Sequence, residues 1–255
     1  MDALPVLLSI PHGGNRIAAE LKDRLLIGRK EILEDADAFT RGIYDLKSKV
    51  QFVVKADIAR AFVDLSRAVS ELPPENPDGV IKSHTCFGKT IYKQSRQPDI
   101  SEIPLLLKKY YQPYHRKLQD ITQREGNSIE ICLDCHSMAE KGPAISPDRG
   151  SERPLFCLGN RFGESASDEL VFRLKNCLAK AFELDSADVA VNVPFAGGFI
   201  TQHYGNNPLP WIQVEMNRKL YLRRPWFDPE TLTLADEKTA DLNRRFYLAL
   251  KAFFS

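Results

Sequence analysis

Short apolar, β-rich runs alternate along this chain with stretches of helical periodicity, and that alternation limits the possible folds more than any other feature. The runs fall at residues 4–10, 51–56, 58–65, 129–138, 155–158, 189–193 and 211–216. Between and after them lie helical intervals: 18–26, a stretch through Phe39, Ile43, Tyr44 and Leu46, a long one from Ser101 through Ile121, another over 165–181, and a closing one within 229–254. Ser101 is placed to cap its helix, with Pro104 in the first turn, where a missing N–H is tolerated. Strand–helix alternation without internal repeats predicts one α/β domain over residues 1–255, with helices on both sheet faces. The Pro- and Gly-bearing segments 72–79 and 139–153 are expected to be loops, the second beside the site described below.

Composition narrows the choice of partner. A chain of 255 residues, 43% hydrophobic and 27% charged, has the make-up of an ordinary globular protein with a substantial core. Its net charge of +1 offers no electrostatic drive toward nucleic acid or an acidic membrane, which leaves a small-molecule or peptide-sized substrate. Cys86, Cys132, Cys135, Cys157 and Cys177 are odd in number and lack the paired spacing of a structural zinc site, so free thiols are expected. Without a signal-peptide pattern, or an apolar run near the ~20 residues that span a bilayer, the expected compartment is the cytoplasm.

The chemistry gathers at strand ends. In 129–138 side chains alternate faces, so Asp134 and His136 point one way with Cys132, while Leu133 and Cys135 point the other. The run 4–10 breaks at Pro11-His12-Gly13-Gly14, which puts His12 just past a strand end. Asp37 opens a helical stretch, where an acid serves as N-cap or as metal ligand. Glu215 alternates with Gln213 in the apolar run 211–216, a costly place for an acid outside a site. His12, His136 and Asp37 make the two-histidine, one-carboxylate set of a catalytic zinc with an open position, Asp134 is suited to orient a ligand, and Glu215 to act as general base. Arg67 would clamp a substrate carboxylate and Arg60 polarise a carbonyl, unless each simply pairs with Asp57 or Asp64. His115, inside a helix, is expected to be structural. No Gly-x-Ser-x-Gly elbow, Walker loop or Gly-x-Gly-x-x-Gly is present, and Cys135 faces away from His136, which makes nucleophile and nucleotide schemes weaker, and the spacing suggests a metal hydrolase.

The ordered motifs Ser9-Ile10-Pro11-His12-Gly13-Gly14, Asp37, Arg60-x-x-x-Asp64-x-x-Arg67, Tyr111-x-Pro113-Tyr114-His115, Asp134-Cys135-His136-Ser137-Met138, Asn192-x-Pro194-Phe195-x-Gly197-Gly198, His203-Tyr204-Gly205 and Gln213-Val214-Glu215-Met216-Asn217-Arg218 resemble the N-formylglutamate amidohydrolase family over residues 7 to 222. The resemblance implies a zinc carboxypeptidase-like, three-layer α/β/α sandwich with a mixed central sheet. It implies one Zn2+ and release of formate from N-formyl-L-glutamate, a step of histidine degradation. By position, His12, His136 and Asp37 would hold the metal, Glu215 would be the catalytic acid–base, and Arg67 would bind the substrate carboxylate. Ser66, Asn192, Gly197 and Gly198 would line the substrate. Zinc carboxypeptidases take their third ligand from a Glu three residues after the first His, where this chain has Asn15; Ser66 stands where the family generally has Asn. The alternatives are a zinc carboxypeptidase or cell-wall peptide amidase with another substrate, and a non-catalytic binding protein on the same fold.

Overall fold

The computed structural model describes residues 3–144 and 146–255. Its strands are β1 Leu4–Ile10, β2 Val50–Lys55, β3 Ile131–Met138, β4 Phe156–Gly159, β5 Val189–Val191 and β6 Trp211–Asn217, joined in one sheet in the order β2-β1-β3-β6-β4-β5. β2, β1, β3 and β6 run parallel, β4 opposes β6, and β5 runs parallel to β4, so the sheet is mixed. The helices are α1 Arg29–Asp35, α2 Thr40–Ile43, α3 Ile103–Leu106, α4 Gln112–Arg124, α5 Asp168–Phe182, α6 Phe199–Tyr204 and α7 Asp236–Phe253.

Strand alternation divides the apolar side chains between two cores. Val6, Leu8 and Ile10 of β1, Leu133 and Cys135 of β3, and Ile212, Val214 and Met216 of β6 meet Leu174 and Leu178 of α5 and Phe246 and Leu250 of α7. Leu7, Cys132 and Trp211 point to the other face, against Tyr114 and Leu118 of α4. Burying each of these large side chains contributes about 1.5–3 kcal/mol, and doing so on both faces makes the three-layer α/β/α arrangement. All five cysteines are free.

Several local expectations change. Residues 58–65 form no strand: the Phe62 and Val63 N–H groups turn back to the Ala59 carbonyl at 3.0 and 3.4 Å. Ala59, Ala61, Phe62, Val63 and Leu65 are all buried, and a run buried on every side carries no period that distinguishes strand from turn. The interval 18–26 contains one tight 3-10 turn, Ala19–Arg24. The helix expected through Phe39 to Leu46 shrinks to α2, entered from a left-handed Phe39 (φ 65°). A two-residue hairpin, Phe227–Asp228 with Thr233–Leu234, precedes α7.

The expected long helix from Ser101 is present as α3 and α4 joined by a π-helical turn, Leu107–Tyr111. Pro113 has no N–H, and its ring clashes with the carbonyl four residues back; a wider turn before it relieves both faults. The turn buries Tyr111, whose hydroxyl donates to the Arg67 carbonyl at 2.9 Å.

Candidate active site

The site forms where β1, β3 and β6 end, on the face shared with α4, the usual place for ligands in an open α/β sheet. Parallel register sets Ser9 beside Asp134, Asp134 beside Gln213, and His136 beside Glu215. His12 lies two residues beyond β1. Its carbonyl accepts the Asp37 N–H at 3.0 Å, which ties the β1 loop to the turn between α1 and α2. The glycine pair lets the loop pass close to two backbones: a Cβ on Gly13 would lie 2.7 Å from the Arg41 nitrogen, beside the Asp37 turn, and one on Gly14 would lie 2.4 Å from the Ile58 carbonyl oxygen, in the segment after β2.

Three buried donors converge. Ligand atoms of His12, Asp37 and His136 all lie within 4.8 Å of one another. His136 Nδ1 is 3.0 Å from Asp37 Oδ2 and 3.2 Å from His12 Nδ1, and His12 Nδ1 is 3.5 Å from Asp37 Oδ2. Behind the rings stand two further acids. His12 Nε2 bonds Asp64 Oδ1 at 2.7 Å. His136 Nε2 lies 3.0 Å from Asp134 Oδ2 but too oblique to hydrogen-bond, and it has no hydrogen-bond partner. Asp134 is fixed in turn by Ser9 Oγ at 3.1 Å and Thr201 Oγ1 at 3.4 Å.

The electrostatics of this cluster call for a cation. Burial would raise the Asp37 carboxyl, but hydrogen bonds and charges from His12 and His136 outweigh it and hold Asp37 well below the usual range. Burial would lower His136, yet the charge of Asp134, the hydrogen bond with Asp37 and the charge of Glu215 drive it well above the ordinary histidine value. Two ring nitrogens with lone pairs facing each other and a carboxylate can be reconciled by a retained proton or by a metal ion. Each ring backed by an acid is the arrangement that makes histidine a strong metal ligand. The residues therefore fit the implied ion.

Glu215 sits beside this cluster, buried, with Oε1 accepting from Gln213 Nε2 at 2.7 Å. Burial pushes its carboxyl up to about 7, with His136 pulling down and Asp37 pushing up. An acid held near neutrality can both take and return a proton. Gln213 Oε1 also accepts the Gly198 N–H, which fixes the loop after β5 against β6.

These groups open into a cavity of about 370 Å³ that His12, Asp37, His136, Glu215, Arg60, Ser66, Arg67 and Gly198 all line. Arg60 takes the alternative set out for it: Nε donates to Asp64 Oδ2 at 2.8 Å and Nη1 to the Asp35 carbonyl at 3.3 Å. Arg67 is about a third exposed and bonds Asp78 Oδ2 through Nη2 at 3.1 Å. Asn192 and Gly197 stand outside the cavity wall. Asn192, at φ 60°, donates from Nδ2 to Asn160 Oδ1 at 2.7 Å and accepts the Asn160 backbone N–H on Oδ1 at 3.0 Å. Gly197, at φ 133°, leaves no room for a Cβ against Arg161, 2.7 Å away. Both shape the loop that presents Phe195 and Gly198.

Sequence reasoning left Asp64 as an arginine partner and gave Gln213 and Arg218 no role. Arg218 reaches Asp37 Oδ1 at 3.2 Å, Ser137 Oγ at 3.0 Å and the Glu34 carbonyl at 2.8 Å, so it anchors the Asp37 turn to β3. The available signal was the position of Arg218 directly after β6, three residues beyond Glu215.

Fold and side chains together define the class: an α/β/α protein with a metal-competent His–Asp–His cluster and a buried acid at the carboxyl edge of its sheet. The family model for N-formylglutamate amidohydrolase matches residues 4–222, and the chain belongs to that family of hydrolases. N-formylglutamate deformylases of Pseudomonas putida and Pseudomonas aeruginosa are each 27% identical to it over 226 residues, 86% of this chain and 82% of theirs. The crystal structure of an N-formylglutamate amidohydrolase from Ralstonia eutropha JMP134 superposes with a TM-score of 0.80 at 22% identity, covering 100% of this chain and 94% of that one. A gene product of Agrobacterium tumefaciens gives 0.63 at 18% identity over 98% and 90% of the two chains. The two structures share the fold. No helix among the described residues is long and apolar enough to cross a membrane.

Proposed function

We propose that residues 1–255 act as one hydrolase domain that cleaves the amide bond of a small N-acyl amino acid, with N-formyl-L-glutamate, giving formate and L-glutamate, as the substrate. The supporting observation is the convergence of His12, Asp37 and His136 beside Glu215 in a chain of this family. These three residues would hold one zinc ion. When bound, zinc supplies Lewis acidity that brings the pKa of water from ~15.7 toward ~7. Asp64 orients the His12 imidazole through its hydrogen bond, Asp134 stands 3.0 Å behind His136 Nε2 as its charge partner, and Arg60 holds Asp64 in place. Glu215 takes a proton from the attacking water and returns it to the departing amine nitrogen. Arg67 receives the α-carboxylate of the substrate, with its backbone pinned by Tyr111, and the Ser66 hydroxyl lies beside it. A cavity of about 370 Å³ suits one small substrate better than a peptide, which favours this reading over a carboxypeptidase or cell-wall amidase. Release of formate and glutamate would place the enzyme in histidine degradation.

Metal analysis coupled to formate release from N-formyl-L-glutamate tests the reading. About one zinc per chain is expected, from the three-ligand set. His136→Ala should lose metal and turnover together, whereas Glu215→Gln should keep metal and lose turnover by roughly 10²–10⁴-fold. Stoichiometric zinc retained in the His12/His136 double mutant would remove the ligand assignment. Undiminished turnover in Glu215→Gln would remove the base.

A further inference from the structure

Four guanidinium groups line the cavity, those of Arg60, Arg67, Arg153 and Arg218. All four are paired with acids or carbonyls of the protein, Arg67 with Asp78 at 3.1 Å and with Glu71 at 3.5 Å, and they differ in how many nitrogens that uses. Arg60 is bonded through Nε and Nη1, with Nη2 3.8 Å from Asp78 Oδ2, and Arg218 is bonded through Nε, Nη1 and Nη2. Arg67 is the group assigned above to the substrate α-carboxylate. Arg153 differs from all three. Its side chain is only 5% exposed, and it enters from the far end of the 139–153 loop rather than from the segment that carries Arg60 and Arg67. Nε and Nη2 form a two-pronged pair with Asp148 at 2.6 and 2.8 Å, and Ser146 Oγ lies 3.5 Å from Nη2. Nη1 bonds nothing among the described residues. The guanidinium carbon lies over the ring of Phe195, 4.8 Å from its centroid, and Phe195 is another residue of the cavity wall.

Each of these contacts reduces the freedom of the group. Asp148 occupies one edge of the fork and Phe195 the flat face, which leaves the Nη1 edge as the part of a nearly buried cation still able to donate. A buried cation with an unused donor edge in a binding cavity is a recognition group for an anion. N-formyl-L-glutamate carries two carboxylates, and Arg67 accounts for one. We propose that Arg153 receives the side-chain carboxylate of the substrate and so selects N-acyl amino acids with acidic side chains. This assignment rests on the amidohydrolase reading of the site. Asp148 becomes its positioning residue, holding the fork in register while the cavity is empty. A substrate with a neutral side chain offers Nη1 a weaker acceptor, and losing a charge-assisted hydrogen bond should cost roughly tenfold to a hundredfold in selectivity.

The matched pair N-formyl-L-glutamate and N-formyl-L-glutamine differs only in side-chain charge. Wild-type kcat/KM, measured as formate release, should favour the glutamate derivative by roughly tenfold to a hundredfold. Arg153→Gln should bring that ratio to within about threefold of unity, because the second charge then has no partner. Arg153→Lys, which keeps the charge but not the fork, should retain part of the preference and serves as the readout if the glutamine variant does not fold. A wild-type enzyme without preference, or variants that keep the wild-type ratio while losing both activities in parallel, would overturn the assignment and leave Arg153 a loop anchor. Should the wild type cleave neither compound, the amidohydrolase reading fails, and calorimetric titration with L-glutamate and L-glutamine decides the binding claim separately. Tighter L-glutamate binding that disappears in Arg153→Gln supports it; equal binding of the two rejects it.

Discussion

His115 and His136 sit on the same face of the sheet and meet opposite electrostatic fates. His115 Nε2 faces the Leu65 carbonyl at 2.9 Å, which makes it the protonated nitrogen and leaves Nδ1 to accept from the Tyr204 hydroxyl at 3.0 Å. Burial pushes its pKa down from 6.5 to about 4, so the folded protein keeps it neutral where the unfolded chain would take a proton. The contribution to stability is therefore complete above pH 6.5 and is lost as the pH falls toward 4, a difference worth about 3 kcal/mol. Urea midpoints of His115→Gln should lose this segment of the pH dependence, while the wild type weakens across it. The structural role of His115 was legible from its place within a helical period, and the strand period put Asp134 and His136 on one face. The Gly13-Gly14 pair marked His12, because only a close backbone approach needs two small residues there. Asp64 behind His12 was not legible. The two are 52 residues apart, and their contact depends on how a buried turn packs, which no local spacing encodes.

At the scale of elements, α5 shows how capping sets a boundary and where it leaves strain. Ser167 Oγ accepts the Leu170 N–H at 3.3 Å, with Asp168 and Glu169 in the first turn, where the helix dipole favours acids. The helix stops at Glu183 in the left-handed region, φ 58° and ψ 48°, a conformation that costs a residue with a Cβ roughly 1 kcal/mol. Its carboxylate is mostly exposed and only 3.6 Å from Arg245, a surface contact of little value. Glu183→Gly should therefore stabilise the protein by roughly 0.5–1 kcal/mol in denaturant titrations, and a loss of that size would show the Arg245 contact to matter more than the backbone. Amphipathic elements such as α5, α7 and β6 were readable because one face of each is wet or differs from the other. The run 58–65 misled because its apolar residues are buried all round, and the π-helical turn before Pro113 answers a local clash without changing the helical period around it. The antiparallel direction of β4 was equally hidden, since four alternating residues pack alike in either direction.

For the molecule as a whole, the sheet is the unit that carries the site: β1 leads to His12, β3 holds Asp134 and His136, and β6 holds Gln213 and Glu215. Both cores pack on these same central strands, so strain at the ligand cluster is felt by the entire fold. A metal that binds the folded cluster and not the unfolded chain stabilises by RT ln(1 + [M]/Kd), about 4 kcal/mol when the free ion is a thousand times its Kd. For a chain of this length that corresponds to roughly 8–16 °C in Tm. Chelation should accordingly lower a single calorimetric transition of the wild type by about 10 °C, and excess zinc should restore it. His136→Ala should melt at the same temperature with and without chelator. A wild-type transition that ignores chelation would separate the cluster from metal binding, and a second, chelator-insensitive transition would show that residues 1–255 do not unfold as one domain.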